Sequence, residues 1–270
     1  MNIIIFDTET LGFKSQDLLN VGYRIIDLDI FSKSYQVLCE RDMLDMNLYR
    51  AVKKLINHKG CLEEDIENML ANQFLPQDKY ETYERLIANK KIEKHCIRKI
   101  FEIMQEDMRK YAVVFGYAYN CNFDIDKFAK TSNKYGLTNP LENIPIYDIW
   151  AYAVNHICYT PEYQKWAREN EIFTQTEIYL STSVESVTKY LLQDLSFVEE
   201  HTALSDTKWE TKILMDCLAK GCDITKAEKR GGYIPSGKVF HKKIVTPYGE
   251  IVEFDYSKAS SRTTTENYYE

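Results

Sequence analysis

The chain begins with the apolar run Ile3-Ile4-Ile5-Phe6 and continues at once with Asp7-Thr8-Glu9-Thr10. Four consecutive apolar residues predict a strand covered on both faces, as in an α/β sheet layered between helices. Side chains two apart on an extended chain share a face, so Asp7 and Glu9 meet at the end of that strand. Open α/β sheets place their sites at such strand ends. Two carboxylates held that close repel each other, and a divalent cation is the usual reason for keeping the pair.

Bulk properties narrow the class. With 270 residues, 44% of them apolar and 28% charged, the composition is that of a soluble globular protein with one large domain, or one domain and an appendage. No apolar stretch approaches the ~18–20 residues of a membrane span, and the first residues lack a signal-peptide pattern. The seven cysteines include no Cys-x-x-Cys pair, which argues against a zinc ribbon and predicts reduced thiols in a cytoplasmic protein. A net charge of −7 disfavours indiscriminate coating of a duplex. Metal-binding carboxylates would inflate that negative count, so local basic patches remain compatible with it.

The pattern along the chain predicts an antiparallel meander first. Ile3 to Phe6, Asn20 to Asp29 and Tyr35 to Cys39 read as strands, with a turn at Leu11-Gly12-Phe13. From Asp42 to about Arg109 the pattern turns helical and charged: Leu48, Val52, Leu55 and Ile56, then Ile66, Met69 and Leu70, then Ile97, Ile100, Phe101 and Met104, with Gly60 and Pro76 as breakers. Ala112 to Tyr119 reads as a strand, a helix follows Phe123 and stops near Gly136, and Ile144 to Tyr147 is a short strand. Residues 156–178 read as irregular and aromatic-rich, with Pro161 a break. Ser183 starts a helix carrying Val187, Leu191 and Leu192, with Ser183 and Ser186 as candidate caps, and the last strong helix runs from about Ala203 to Lys220 before Gly221. Beyond it, two alternating segments around Pro247-Tyr248-Gly249 predict a β-hairpin, and 257–270 a disordered tail.

Three further segments join Asp7 and Glu9. Asn120-Cys121-Asn122-Phe123-Asp124 leads from a strand into a helix, His201-Thr202-Ala203-Leu204-Ser205-Asp206 opens the last strong helix, and Tyr147-Asp148 ends another strand. The set resembles the DEDDh 3′–5′ exonuclease family, which includes polymerase proofreading subunits, ribonuclease T and oligoribonuclease. Asp7-Thr8-Glu9-Thr10 matches the family's Asp-x-Glu-Thr motif. Asn120, Phe123 and Asp124 match Asn-x-x-Phe-Asp, and His201, Ala203 and Asp206 match His-x-Ala-x-x-Asp. The tyrosine variant of the family would carry Tyr four residues before the last Asp, where this chain has Thr202. An ideal helix would set His201 and Asp206 ~140° apart. They converge only if His201 lies in the entry loop and Asp206 in the first turn.

The resemblance implies a ribonuclease-H-like fold over residues 1–222: an α/β mixed five-stranded sheet, its first three strands antiparallel, flanked by helices with helical insertions. Residues 223–256 would then be an appended β-hairpin. It implies a metal-dependent 3′–5′ exonuclease that acts on single-stranded DNA or RNA 3′ ends and releases nucleoside 5′-monophosphates. Asp7, Glu9, Asp124 and Asp206 would bind two Mg²⁺ or Mn²⁺ ions, and His201 would act as general base. Hard oxygen ligands suit those ions, and histidine is the side chain whose unperturbed charge change falls near neutrality. Thr10, Phe13, Asn120 and Phe123 are the expected substrate contacts, Phe13 because residues after the first motif line the family's cleft. Asp148 resembles a strand-end acid of structural role, and Asp126 is expected to be exposed.

Several alternatives stay open at this level. The five residues serve DNA and RNA alike, with DNA slightly favoured, and a non-catalytic nucleic-acid-binding or partner-binding module could share the fold. The insertions around 42–109 and 155–180 could bound the cleft, hold a partner or decorate the surface. From Lys220 to Lys243, seven Lys or Arg face two acids, which suits phosphate binding or a solvated hairpin edge. Proofreading would need a polymerase partner in trans.

Overall fold

A computed structural model of the chain describes residues 1–11, 17–57, 77–238, 241–245 and 251–255. Phe13, Gly60, Ile66, Met69, Leu70, Pro76, the turn at 247–249 and the tail 257–270 lie outside the described residues. The chain divides into two compact units, Met1–Ile149 with Glu199–Ala227, and Trp150–Val198 with Glu228–Glu270.

In the first unit, β1 (Asn2–Thr10), β2 (Leu18–Asp29) and β3 (Ser34–Asp45) form the expected antiparallel meander. A short β4 (Glu93–His95) pairs in parallel with β3, while β5 (Phe115–Ala118) pairs in parallel with β1 and β6 (Ile146–Asp148) with β5. The order β4-β3-β2-β1-β5-β6 is a mixed sheet with six strands, where the sequence pattern predicts five. Three residues with no apolar alternation offered no signal for β4.

Two boundaries also moved. The strand expected to end at Cys39 runs on to Asp45, because Met43 and Leu44 are both buried and the acids beside them are satisfied. Asn20 Nδ2 donates to Asp42 Oδ1 at 2.7 Å, and Asp45 Oδ1 accepts from the Asn47 N–H at 2.9 Å. Asp45 thereby caps α1 (Met46–Asn57), the role for which Asp is favoured. The strand expected over 112–119 is confined to β5, since Ala112 adopts a left-handed φ of 48° that breaks extension.

Among the described residues this unit also has α2 (Gln77–Ala88), α3 (Ile97–Lys110), α4 (Asn122–Tyr135) and, later in the chain, a long helix from Ala203 to Ala219. Alternate residues of β1 and β2 (Ile4, Phe6, Val21, Tyr23 and Ile25) pack against Ile100, Phe101 and Met104 of α3 and Phe128 of α4. The Phe6 and Phe128 rings meet edge-on at 5.9 Å. Asp107 of α3 anchors that helix to the sheet, accepting from Tyr23 Oη at 2.8 Å and Arg41 Nε at 2.9 Å. A smaller cluster joins Leu19 and Leu44 to Tyr49 and Val52 of α1 and Tyr83 of α2.

The second unit corrects the irregular reading of 156–178. After the boundary at Ile149 it holds the rest of α5 (Ile149–Ala153) running into a π-helical turn (Val154–Cys158), then α6 (Pro161–Glu169) and α7 (Val184–Leu192). Pro161 starts α6 rather than breaking the chain. Proline fits the first helical position, and Thr160 Oγ1 caps the helix by accepting from the Tyr163 N–H. Ser183 caps α7 as expected, through the Ser186 N–H at 3.2 Å. Strands β7 (His241–Val245) and β8 (Ile251–Asp255) form the antiparallel hairpin.

The long helix, α8 (Ala203–Ala219), packs on β1 and β2. Its first turn comes so close at Gly22 that a Cβ there would lie 2.1 Å from the Leu204 nitrogen and 2.3 Å from the Ala203 carbonyl carbon. Backbone on both sides cannot yield as a side chain would. Gly22→Ala is therefore expected to push α8 off the sheet and lower the unfolding free energy by about 3 kcal/mol, at the upper end of overpacking costs. Urea titration measures this; a loss below about 0.5 kcal/mol would contradict the close approach.

Candidate active site

The register of β1 sets the first two acids. Parallel pairing with β5 ends at Ile5–Tyr117, so Asp7 and Glu9 project beyond it. On the other side they face Gly22 and Asn20 of β2. Asp124, in the first turn of α4, is buried and accepts from Thr8 Oγ1 at 2.6 Å. Asp206 lies in the first turn of α8, which Asn20 ties down by accepting the Ala203 N–H at 3.1 Å. Carboxylate oxygens of Asp7, Glu9 and Asp206 all lie within 4.8 Å of one another.

His201 occupies the loop that enters α8, with a left-handed φ of 53° and a side chain 61% exposed. The entry-loop and first-turn geometry expected of the third motif is present: ligand atoms of His201, Asp206 and Glu199 come within 4.8 Å of one another, with His201 Nδ1 3.8 Å from Glu199 Oε2. Non-glycine residues in this backbone region carry a cost of order 1 kcal/mol, and they cluster at functional sites. Asn120, in the second motif, has the same conformation, with a φ of 60°.

The four expected substrate contacts are placed unequally. Thr10 is buried, Phe123 is half-buried with Lys127 Nζ 4.9 Å from its ring centroid, and Asn120 is exposed. Phe13 lies outside the described residues. The Asn120 N–H donates to Asp148 Oδ1 at 2.9 Å, so Asp148 steadies the turn that leads to Asp124. Asp126 is exposed and pairs with Lys130 at 2.8 Å.

Two charged residues join this cluster without a motif to announce them. Lys79 of α2 places Nζ 2.5 Å from Glu9 Oε2, both side chains being 17% exposed. One turn further along α2, the Tyr83 hydroxyl donates to Asn20 Oδ1 at 3.2 Å. The i, i+4 spacing puts Lys79 and Tyr83 on one helix face, so α2 bounds the site rather than decorating the surface. Glu210, one turn after Asp206 in α8, is 2% exposed. A lysine and a glutamate in charged helices look like solvent residues in sequence, and only the i, i+4 spacing of Asp206 and Glu210 hints otherwise.

Burial dominates the electrostatics. It pushes the carboxyls of Asp7, Glu9, Asp206 and Glu210 up, and mutual repulsion among the acids adds to the rise at Asp7, Asp206 and Glu210. Asp124 is pushed up to about 7, again by burial first, against the lowering effect of its Thr8 hydrogen bond. At Glu9 the Lys79 ammonium and then His201 pull the other way. Asp206 Oδ1 and Glu210 Oε2 are buried with no hydrogen-bond partner, a costly state for carboxylate oxygens. An all-oxygen donor set with orphaned buried oxygens fits a hard divalent cation.

Neither a family model nor a curated protein matches the chain. Among solved structures it is similar to the nuclease domain of 3'hExo, described as a DEDDh family member and solved bound to rAMP. The TM-score is 0.48 and the identity 11%, over 85% of this chain and 97% of that one.

Two outcomes follow from the charges. Carboxyls raised by burial bind protons in the folded state that the unfolded chain has released, so stability is lost as pH rises from ordinary carboxyl values through the raised ones. In EDTA the melting temperature should fall between pH 5 and pH 8, and the stabilisation conferred by Mn²⁺ should grow over the same range. A pH-independent gap between the two melting curves would contradict this. Lys79 is the counter-ion that a metal at Glu9 must displace or share. Lys79→Ala should tighten Mn²⁺ binding by about fivefold, the scale of a partly exposed ion pair, as read by calorimetry; weaker binding would count against it.

Proposed function

We propose that the chain is a metal-dependent 3′–5′ exonuclease that removes nucleoside 5′-monophosphates from single-stranded 3′ ends, DNA before RNA. One observation carries the reading. Asp7, Glu9 and Asp206 converge within 4.8 Å, beside Asp124 and His201, and the five residues hold the order and spacing of the three motifs. Asp7, Glu9, Asp124 and Asp206 are the residues to hold Mg²⁺ or Mn²⁺. Two such ions, when bound, supply charge that neutralises the phosphate and lowers the pKa of the attacking water.

The chain's own groups do the rest. His201, exposed on the solvent side, offers Nε2 as a proton acceptor, with Glu199 Oε2 3.8 Å from its Nδ1. Asn120 and Phe123 stand at the turn into Asp124, where a terminal nucleotide would be held, Phe123 offering a half-buried ring. Beside the first turn of α8 lies a groove of about 560 Å³ whose walls carry Arg85, Lys91 and Lys208 together with Asp42 and Glu200, a net positive lining open to the phosphates of an incoming strand. The basic C-terminal segment is a weaker candidate for that role, because Lys220, Lys226 and Lys238 already pair with Asp216, Asp223 and Glu177.

Matched single-stranded DNA and RNA, labelled at either end, test this with Mn²⁺ or with EDTA. The expected result is metal-dependent release of the 3′ label as mononucleotide and stepwise shortening of 5′-labelled strands. Asp7→Asn and Asp206→Asn should each lower the rate at least ~10³-fold with the fold intact, in the range of electrostatic catalytic groups. Binding without cleavage would favour the non-catalytic module, and full activity in either variant would sink the assignment.

A further inference from the structure

Glu210 has no place in the three motifs and joins none of the groups of ligand atoms that lie within 4.8 Å of one another among the described residues, yet it is buried where Asp124 and Asp206 act on it. It follows Asp206 by one turn on the same face of α8. Its carboxylate is 2% exposed, and Oε2 has no hydrogen-bond partner. The other acids acting on it are Asp124 and then Asp206, with Glu199 behind them. Among the neighbouring acids that act on Asp7, Glu210 stands behind Asp124 and ahead of Glu9 and Asp206. On the protein side the Tyr119 backbone N–H, just after β5 and before Asn120, donates to it.

We infer that Glu210 is a fifth carboxylate of the cation centre, adding its charge to those of Asp7, Asp124 and Asp206. The inference rests on the metal-centre reading above. A glutamate whose only task was to accept from Tyr119 would gain nothing from a second oxygen buried without a donor; a cation gives that oxygen a partner. The charge count agrees. Four motif carboxylates are already matched by two divalent ions. Glu210 adds one negative charge that acts on Asp7, and Lys79, at 2.5 Å from Glu9, adds one positive charge. Five carboxylates and one ammonium again leave four negative charges for two divalent ions. The two residues absent from the motif therefore cancel each other.

Glu210→Gln separates this role from a structural one. Glutamine has nearly the same volume and keeps a carbonyl oxygen for the Tyr119 N–H, but it carries no charge. Mn²⁺ binding is measured by calorimetry on the wild type, E210Q and the exposed-site control Asp126→Asn, with melting curves in EDTA. The expected result is E210Q at least as stable as the wild type without metal, with Mn²⁺ affinity reduced about tenfold or more, the loss typical when a group supporting a metal site is removed. D126N should match the wild type. Unchanged Mn²⁺ affinity in E210Q overturns the assignment of Glu210 alone, and so does an E210Q that melts lower in EDTA or fails to fold, because that marks a structural residue. A wild type that takes up no Mn²⁺ overturns the metal-centre reading itself and this inference with it.

Discussion

The site hangs on the side chain of Asn20, buried in β2. An asparagine amide has two hydrogens to give and two lone pairs to accept with, and all four are used. Nδ2 donates to Asp42 Oδ1 and to the Met43 carbonyl of β3, while Oδ1 accepts from the Ala203 N–H of α8 and from the Tyr83 hydroxyl of α2. Three separate stretches of chain are thereby fixed to the strand residue directly across from Glu9. Gly22, across from Asp7, makes that attachment possible, because only a residue without Cβ lets the α8 backbone settle on the sheet. With the first turn of α8 in place, Asp206 cannot avoid the β1 carboxylates.

That attachment also sets the electrostatic tension of the molecule. Folding brings Asp7, Glu9, Asp124, Asp206 and Glu210 together in surroundings that penalise every one of their charges. Hydrophobic packing on the opposite face of β1, through Phe6, Phe101 and Phe128, supplies the stability to hold them there. Lys79 relieves part of the repulsion from one side. Such a cluster is a poor way to stabilise a protein and a good way to prepare a cation site, which is the trade expected where function and stability compete.

Much of this was legible in the residues themselves. The apolar run before Asp7 marks β1, the Phe-Asp pair marks the start of α4, and the glycine after Tyr135 marks its end, with Gly136 in the left-handed conformation that ends helices. His201 and Asp206 demanded a loop followed by a first helical turn, and they have one. Elsewhere local pattern misled. Pro161 reads as a break until Thr160 is seen capping the helix it starts, and the acids from Asp42 to Asp45 read as the approach to a charged helix until Asn20 is seen bonding to one of them.

Sequence alone determined the chemistry on offer, four carboxylates and a histidine in a fixed order, because periodicity and spacing along the chain decide which side chains share a strand face or a helix turn. Tertiary structure decided that Lys79 comes to Glu9 and that the helix face carrying Asp206 and Glu210 meets the β1 acids. Their proximity depends on where α2 and α8 land on the sheet, and that is settled by long-range contacts at Asn20, Gly22 and Tyr83, between residues more than sixty apart, which no local pattern encodes.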